Sequence, residues 1–253
     1  MNIAPPRPRI LLLQAREEPD MELQEQECFV ERCRISSDQL IPRNVIRDRI
    51  TAEMLSGFDG LLIGGAGAFS ATQDYPWTES VLDLIRAAAD STFPTFGSCW
   101  GHQMIARAMG GRVVHDPAKA EMGCHRVNLT EAGQKDQLFS GFPATFKANM
   151  GHHDRVVDLP AEAVELADNP SQPFQAIRMG DLPMYGTQFH SELDAARERD
   201  RLIRYREHYL DELPTEELFQ AVIDDLAETT DVDHLLADFV KMFVDGGGKH
   251  SEG

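Results

Sequence analysis

The alternation of short apolar runs with helical periodicity predicts an α/β fold. The expected architecture is a doubly wound, mainly parallel sheet with helices on both faces, plus a C-terminal helical extension. Three observations carry this. Residues 9–13 and 59–63 are short apolar runs of the kind that a strand buried on both faces requires. Residues 79–90 place Val81, Leu82, Ile85 and Ala89 on one side of a helix. A further short run at 92–96 is followed by glycine and a second helical pattern. Strand, helix and strand in this order make βαβ units, whose parallel strands need a crossover.

Taken in order, residues 1–8 are Pro-rich and read as a flexible arm. Residues 9–13 form the first strand. Residues 59–63 form another and run into Gly64-Gly65-Ala66-Gly67. After the helix at 79–90 and the strand at 92–96, residues 100–109 read as a helix stopped by Gly110-Gly111. From 112 to 189 the pattern becomes short extended segments between turn residues, at 112–114, 125–129, 163–166, 174–178 and 184–189. The remainder is helical almost to its end. One domain over 9–210, an acidic helical extension over 211–245 and a disordered tail over 246–253 are expected.

The chain has 253 residues, with 24 basic and 42 acidic side chains and a formal charge of −18. Such an acidic balance argues against a nucleic-acid surface, where phosphates would be repelled. No apolar run is long enough to cross a membrane, and no signal peptide is evident at the start. Four irregularly placed cysteines, Cys28, Cys33, Cys99 and Cys124, do not make a disulfide scaffold. Reduced thiols in a cytoplasm are expected. Cys28 and Cys33 read as helix-face residues.

Residues 211–245 hold 11 acidic residues and one basic one, Lys241. Two amphipathic helices fit there. Leu218, Phe219, Val222, Ile223 and Leu226 form one stripe; Leu235, Leu236, Phe239, Val240 and Phe243 form the other. Thr215 and Asp231 are the expected N-caps. The pair reads as helices packed on the domain, with a docking surface for a basic partner as the sharper alternative.

Three segments carry the chemistry. The first is Gly97-Ser98-Cys99-Trp100-Gly101, a G-x-C-x-G between strand and helix. A sharp turn there presents the central side chain in a cleft, and small neighbours let the backbone pass close to adjacent strands. Cys99 would stand at a helix N-terminus, where the dipole favours a thiolate, with the Trp100 N–H beside it. The alternative is a small buried cysteine. The second is His190-Ser191-Glu192. In extended chain, residues two apart share a face, so the carboxylate can orient the imidazole. The third is the glycine run at 64–67, whose free N–H groups suit an oxyanion. It lacks the G-x-G-x-x-G spacing of a dinucleotide loop. His152, His153 and Asp154 do not match a zinc site, and no metal is expected. Trp77 reads as a packing anchor.

Glycine loop, cysteine elbow and late His-x-Glu, in that order, resemble the class I (triad) glutamine amidotransferases over roughly residues 9–209. The resemblance is greatest to stand-alone members similar to the glutaminase domain of GMP synthase. The matches include Gly64-Gly65, residues 94–103, Gly110-Gly111, Glu121 with Gly123, residues 152–156 and residues 188–192. The resemblance implies a flavodoxin-like sheet. It assigns Cys99 as nucleophile, His190 as base and then acid, and Glu192 as its orienter. It places the oxyanion hole at the N–H groups of Gly65 and Trp100. Gln103, with the backbone near Gly151 and His152, would hold the amino-acid end of L-glutamine. Ser191 and Ala66 stand where the family usually has proline, and His153 where some relatives have glycine.

The activity so implied is hydrolysis of the glutamine side-chain amide through a glutamyl thioester, without a cofactor. The ammonia would pass to an acceptor, for which a separate synthase subunit is the candidate. The alternatives are a γ-glutamyl amide or peptide hydrolase on the same triad and a non-catalytic regulatory subunit with this fold. No G-x-x-x-x-G-K-[ST] loop is present, so ATP chemistry is expected only from a second polypeptide.

Overall fold

The structure is a computed structural model, and it describes residues 7–245. Residues 1–6 of the expected arm and the expected tail at 246–253 lie outside the described residues. Arg7 pairs with Asp38 at 2.5 Å.

The first strand, β1 (Ile10–Ala15), is buried along its whole length. Ile10 and Leu12 enter the core on one side of the sheet, and Leu11 and Leu13 enter the core on the other. This alternation is why the run is apolar throughout. Helix α1 (Pro19–Cys33) follows, with Pro19 at its start, where a missing N–H costs nothing. It buries Cys28, Phe29 and Cys33. Then come β2 (Leu40–Asn44), β3 (Gly60–Ala66), α2 (Thr78–Asp90), β4 (Thr95–Ser98) and α3 (Trp100–Ala108).

The strand expected at 92–96 starts later, at Thr95. Residues 92–93 instead close α2: the Thr92 and Phe93 N–H groups donate to Ala89 and Ala88 carbonyls, and Thr92 has φ 51°. Helix α3 stops before Gly110, which has φ 93°, the left-handed conformation that glycine adopts without strain.

Beyond α3 lie β5 (Arg112–His115), β6 (Glu121–Leu129), α4 (Glu131–Lys135), β7 (Thr145–His152), β8 (Asp154–Asp158), β9 (Ala163–Asp168), β10 (Ala176–Met179) and β11 (Met184–Thr187). Helix α5 (Ala195–Arg204), helix α6 (Glu216–Asp225) and helix α7 (Leu235–Phe239) close the chain, the last continued by a π-helical turn at Val240–Val244.

The main sheet has nine strands in the order β2-β1-β3-β4-β11-β10-β9-β6-β7. The pairs from β2 through β11 are parallel, and the pairs from β11 through β7 are antiparallel. The parallel half carries the cysteine elbow. Strand β5 does not join this sheet; it pairs with β8 in a separate ribbon. Strands β2, β7 and β8 escape the sequence reading because exposed or half-buried residues interrupt their burial, so none makes a continuous apolar run. Helices α1 and α7 cover one face, and α2 and α3 the other.

Of the C-terminal apolar stripes, the second is buried except for the partly buried Phe243, and the first buries Phe219 and Ile223 and exposes Leu218. Leu235, Leu236, Phe239 and Val240 join the core under β1, β3 and β4, with Phe96 and Phe239 rings 5.4 Å apart. Each such side chain, fully buried, contributes roughly 1.5–3 kcal/mol. Phe219 and Ile223 of α6 pack with Leu202, Tyr205 and Tyr209. Thr215 caps α6 through the Leu218 N–H. Asp231 is not the second cap: α7 begins after His234, and residues 230–233 form a turn closed by Val232 N–H to Thr229 O. Among the described residues no helix is long and apolar enough to cross a membrane.

Candidate active site

Cys99 stands at the junction of β4 and α3 with φ 51° and ψ −100°. A non-glycine residue holds that conformation only when its surroundings impose it. The Thr187 carbonyl accepts the Cys99 N–H at 2.8 Å, which ties the turn to β11. The flanking glycines are needed for contact, not for φ. A Cβ on Gly101 would lie 2.3 Å from the Ile63 carbonyl oxygen, and one on Gly97 would lie 2.4 Å from the Gly101 backbone. Gln188 Nε2 donates to the Cys99 sulfur at 3.7 Å.

His190 and Glu192 lie beyond the end of β11 rather than within it. The expected run to 189 is cut short because the Thr187 hydroxyl donates to the Phe189 carbonyl and the chain turns away. His190 is instead bridged to Asn149 of β7, donating its N–H to the Asn149 carbonyl at 3.1 Å. His190 Nδ1 meets Glu192 Oε1 at 2.7 Å. The other Glu192 oxygen accepts the Ser98 hydroxyl at 2.6 Å, and Arg201 Nη1 reaches Oε1 at 3.4 Å.

Burial opposes charge on both partners, and their mutual attraction outweighs it. Burial alone would raise the Glu192 pKa, but His190, Arg201 and Ser98 bring it down to about 2. Burial would lower the His190 pKa, but Glu192, Glu198 and Cys99 hold it well above that of an ordinary imidazole. With Nδ1 occupied by the carboxylate, Nε2 is the ring nitrogen left free of that contact.

A cavity of about 220 Å³ opens onto Cys99. Trp100, Gln103, Gly151 and His152 line it, together with His153 and Tyr209. Gln103 Nε2 is engaged by the Asp154 carbonyl at 2.6 Å and by Gln188 at 3.1 Å. His152 is buried, with Nδ1 3.0 Å from the Asp154 carbonyl and Nε2 3.4 Å from Glu121. Glu121 accepts from Asn169, Gln172 and Gln175. Burial would raise its pKa, but His152 and these amides lower it. Trp77 is stacked on Tyr75 and edge-on to Trp100 at 5.7 Å.

Gly65 departs from expectation. Its N–H donates to Glu25 Oε1 at 3.1 Å, so in this conformation it is committed to a carboxylate. The two-amide oxyanion hole is therefore not assembled here. The Trp100 N–H, in the first turn of α3, has no partner within the helix.

Behind the triad lies a group the sequence reading missed: Arg16, Glu25, Glu198 and Arg201, all buried. Arg16 Nη2 pairs with Glu25 Oε1 at 2.8 Å. The available signal was the spacing on α5, where Glu198 and Arg201 share the face of the apolar Leu202 and Tyr205. Charged residues there read as solvated unless the fold buries them. Among the described residues, no group of three or more His, Cys, Asp or Glu side chains is placed to hold a metal.

This fold and elbow define a class of protein. Residues 23–207 match the family described as glutamine amidotransferase class-I. The chain belongs to that family of enzymes. It is 29% identical over 153 residues to the glutamine-hydrolyzing GMP synthase subunit of Archaeoglobus fulgidus, covering 60% of this chain and 76% of that one. It is 31% identical over 143 residues to the corresponding protein of Sulfolobus acidocaldarius, covering 56% and 72%. A solved glutamine amidotransferase from Methylobacillus flagellatus shares the fold, with a TM-score of 0.73 at 24% identity over 97% of this chain and 98% of that one.

Proposed function

We propose that this chain hydrolyses the side-chain amide of L-glutamine and delivers ammonia to an acceptor on a separate synthase subunit. One observation carries the reading: the 2.7 Å contact between His190 and Glu192, with His190 lining the same recess as Cys99. The Cys99 thiolate attacks the amide carbon, and the carbonyl pair moves onto oxygen. The Trp100 N–H stabilises that oxyanion, and the Gly65 N–H joins it only after leaving Glu25. His190 gives its proton to the amide nitrogen, the C–N bond breaks, and ammonia leaves a glutamyl thioester. Water then attacks the thioester, its proton passes to His190, the C–S bond breaks, and glutamate is released. Gln103, Gly151 and His152 hold the amino-acid end of the substrate. The four free thiols fit a reducing compartment such as the cytoplasm.

The test is ammonia release from L-glutamine without ATP, beside a panel of γ-glutamyl dipeptides. Glutamine is expected to be turned over and Cys99→Ala to be inactive. A glutamine analogue with a γ-electrophile is expected to label Cys99 alone. Turnover of the dipeptides but not of glutamine would replace this reading with a γ-glutamyl hydrolase; labelling of Cys28, Cys33 or Cys124 would overturn the nucleophile.

A further inference from the structure

A second, smaller cavity of about 20 Å³ lies beside the triad, lined by Cys99, His190, Gly151, Glu198, Arg16 and Arg201. Its volume suits one water molecule. Three charged side chains border it, each at least nine-tenths buried, and each has an atom without a hydrogen-bond partner. These atoms are Glu198 Oε2, Arg16 Nε and Arg201 Nη2. A buried carboxylate oxygen left unpaired costs about 1–3 kcal/mol or more, so such a set is retained where something binds to it.

Among the described residues Glu198 Oε2 has no hydrogen-bond partner. Its Oε1 comes within 3.0 Å of where a Cβ on Gly151 would stand, so Gly151 is what lets the carboxyl approach β7. Arg201 directs Nη1 to Glu192, and Arg16 directs Nη2 to Glu25. The two guanidiniums are thus anchored by other carboxylates, and Arg201 Nη2 also lies 3.8 Å from Glu25 Oε1. An acceptor and two donors around a one-water space match the two O–H groups and lone pairs of water.

We propose that Glu198 is a positioning residue for deacylation: it holds the water that resolves the Cys99 thioester. This rests on the thioester reading above. The water donates one O–H to Glu198 Oε2 and accepts from Arg201 or Arg16. Its oxygen attacks the thioester carbonyl as its other proton passes to His190 Nε2. The C–S bond then breaks, with the pair returning to the Cys99 sulfur. Acylation needs no such water, so Glu198 acts on the first ammonia release only through its charge near His190. Glu198 does not touch the substrate's reacting atoms; it acts through the water, and holding that nucleophile in line is worth roughly 10- to 100-fold in rate.

The experiment is an acid quench during turnover of L-glutamine, with intact mass measurement of the acyl adduct on Cys99, on the full chain. In Glu198→Ala the initial burst of ammonia should fall less than steady turnover does. Steady turnover should fall roughly 10- to 100-fold, and the adduct should accumulate. Hydroxylamine, a nucleophile with no need of a held water, should relieve the block more in the variant than in the wild type. Glu198→Gln keeps one oxygen acceptor and should fall between the two. Circular dichroism melting checks folding; if Glu198→Ala does not fold, the isosteric Glu198→Gln carries the comparison. A slowed burst without adduct, or wild-type adduct levels in a folded variant, overturns the proposal. If Cys99→Ala still hydrolyses glutamine, the thioester reading itself has failed; if it does not and only the Glu198 variants behave as wild type, this inference alone has failed.

Discussion

The Gly65 amide donates its hydrogen to the Glu25 carboxylate, 3.1 Å away. The backbone group proposed for the oxyanion is thereby held by helix α1, through a side chain that also neutralises Arg16. Glu25 is fully buried and its partner guanidinium nearly so, which makes their pairing obligatory rather than incidental.

Glu25→Ala should therefore cost about 3–5 kcal/mol of stability, because it strands a buried Arg16. Urea unfolding of variant and wild type measures this. A loss below about 1 kcal/mol, the range of an exposed pair, would show that Arg16 finds another counter-charge.

His190→Ala should lower glutamine turnover more than Glu192→Gln. The imidazole carries the proton, whereas the carboxylate orients it and favours its cation. Steady-state kinetics of the two variants decides the ranking, and the reverse order would make Glu192 the proton carrier.

The same pair sets a pH dependence of stability. The folded pKa of Glu192 is about 2, below its ordinary 4.5. Its contribution is present above about 4.5 and is lost as pH falls toward 2. The His190 pKa is raised well above 6.5, so its contribution is complete below 6.5 and is lost as pH rises through the folded value. Melting temperature should thus fall more steeply below pH 4.5 in the wild type than in Glu192→Gln. Parallel acid limbs in thermal melts would mean that Glu192 is not held as an ion.

Ending the chain after Asp211 should leave no cooperatively folded protein. That truncation removes Leu235, Leu236 and Phe239, which are fully buried against the central strands. Phe239→Ala alone should cost about 3–5 kcal/mol. A truncated chain with a sharp thermal transition would show that the acidic helices are an accessory rather than a layer of the fold.

The amino-acid sequence by itself determined what is local. The parallel strands β1 and β3 are visible as apolar runs because both of their faces are buried. The elbow is visible because Gly97, Cys99 and Gly101 fall within one turn, and His190 and Glu192 are two residues apart. Tertiary structure alone decided what depends on distant partners. Strands β2, β7 and β8 are stabilised by neighbours rather than by an apolar run. The apolar stripe of α7 became core because the sheet had an uncovered face for it. Gly65 lost its free amide to Glu25, 40 residues away. Glu198 and Arg201 read as solvated charges on α5 and are buried beside the triad. A charge in a helical pattern looks exposed until the packing of other segments removes its water, and that is a property of the assembled fold.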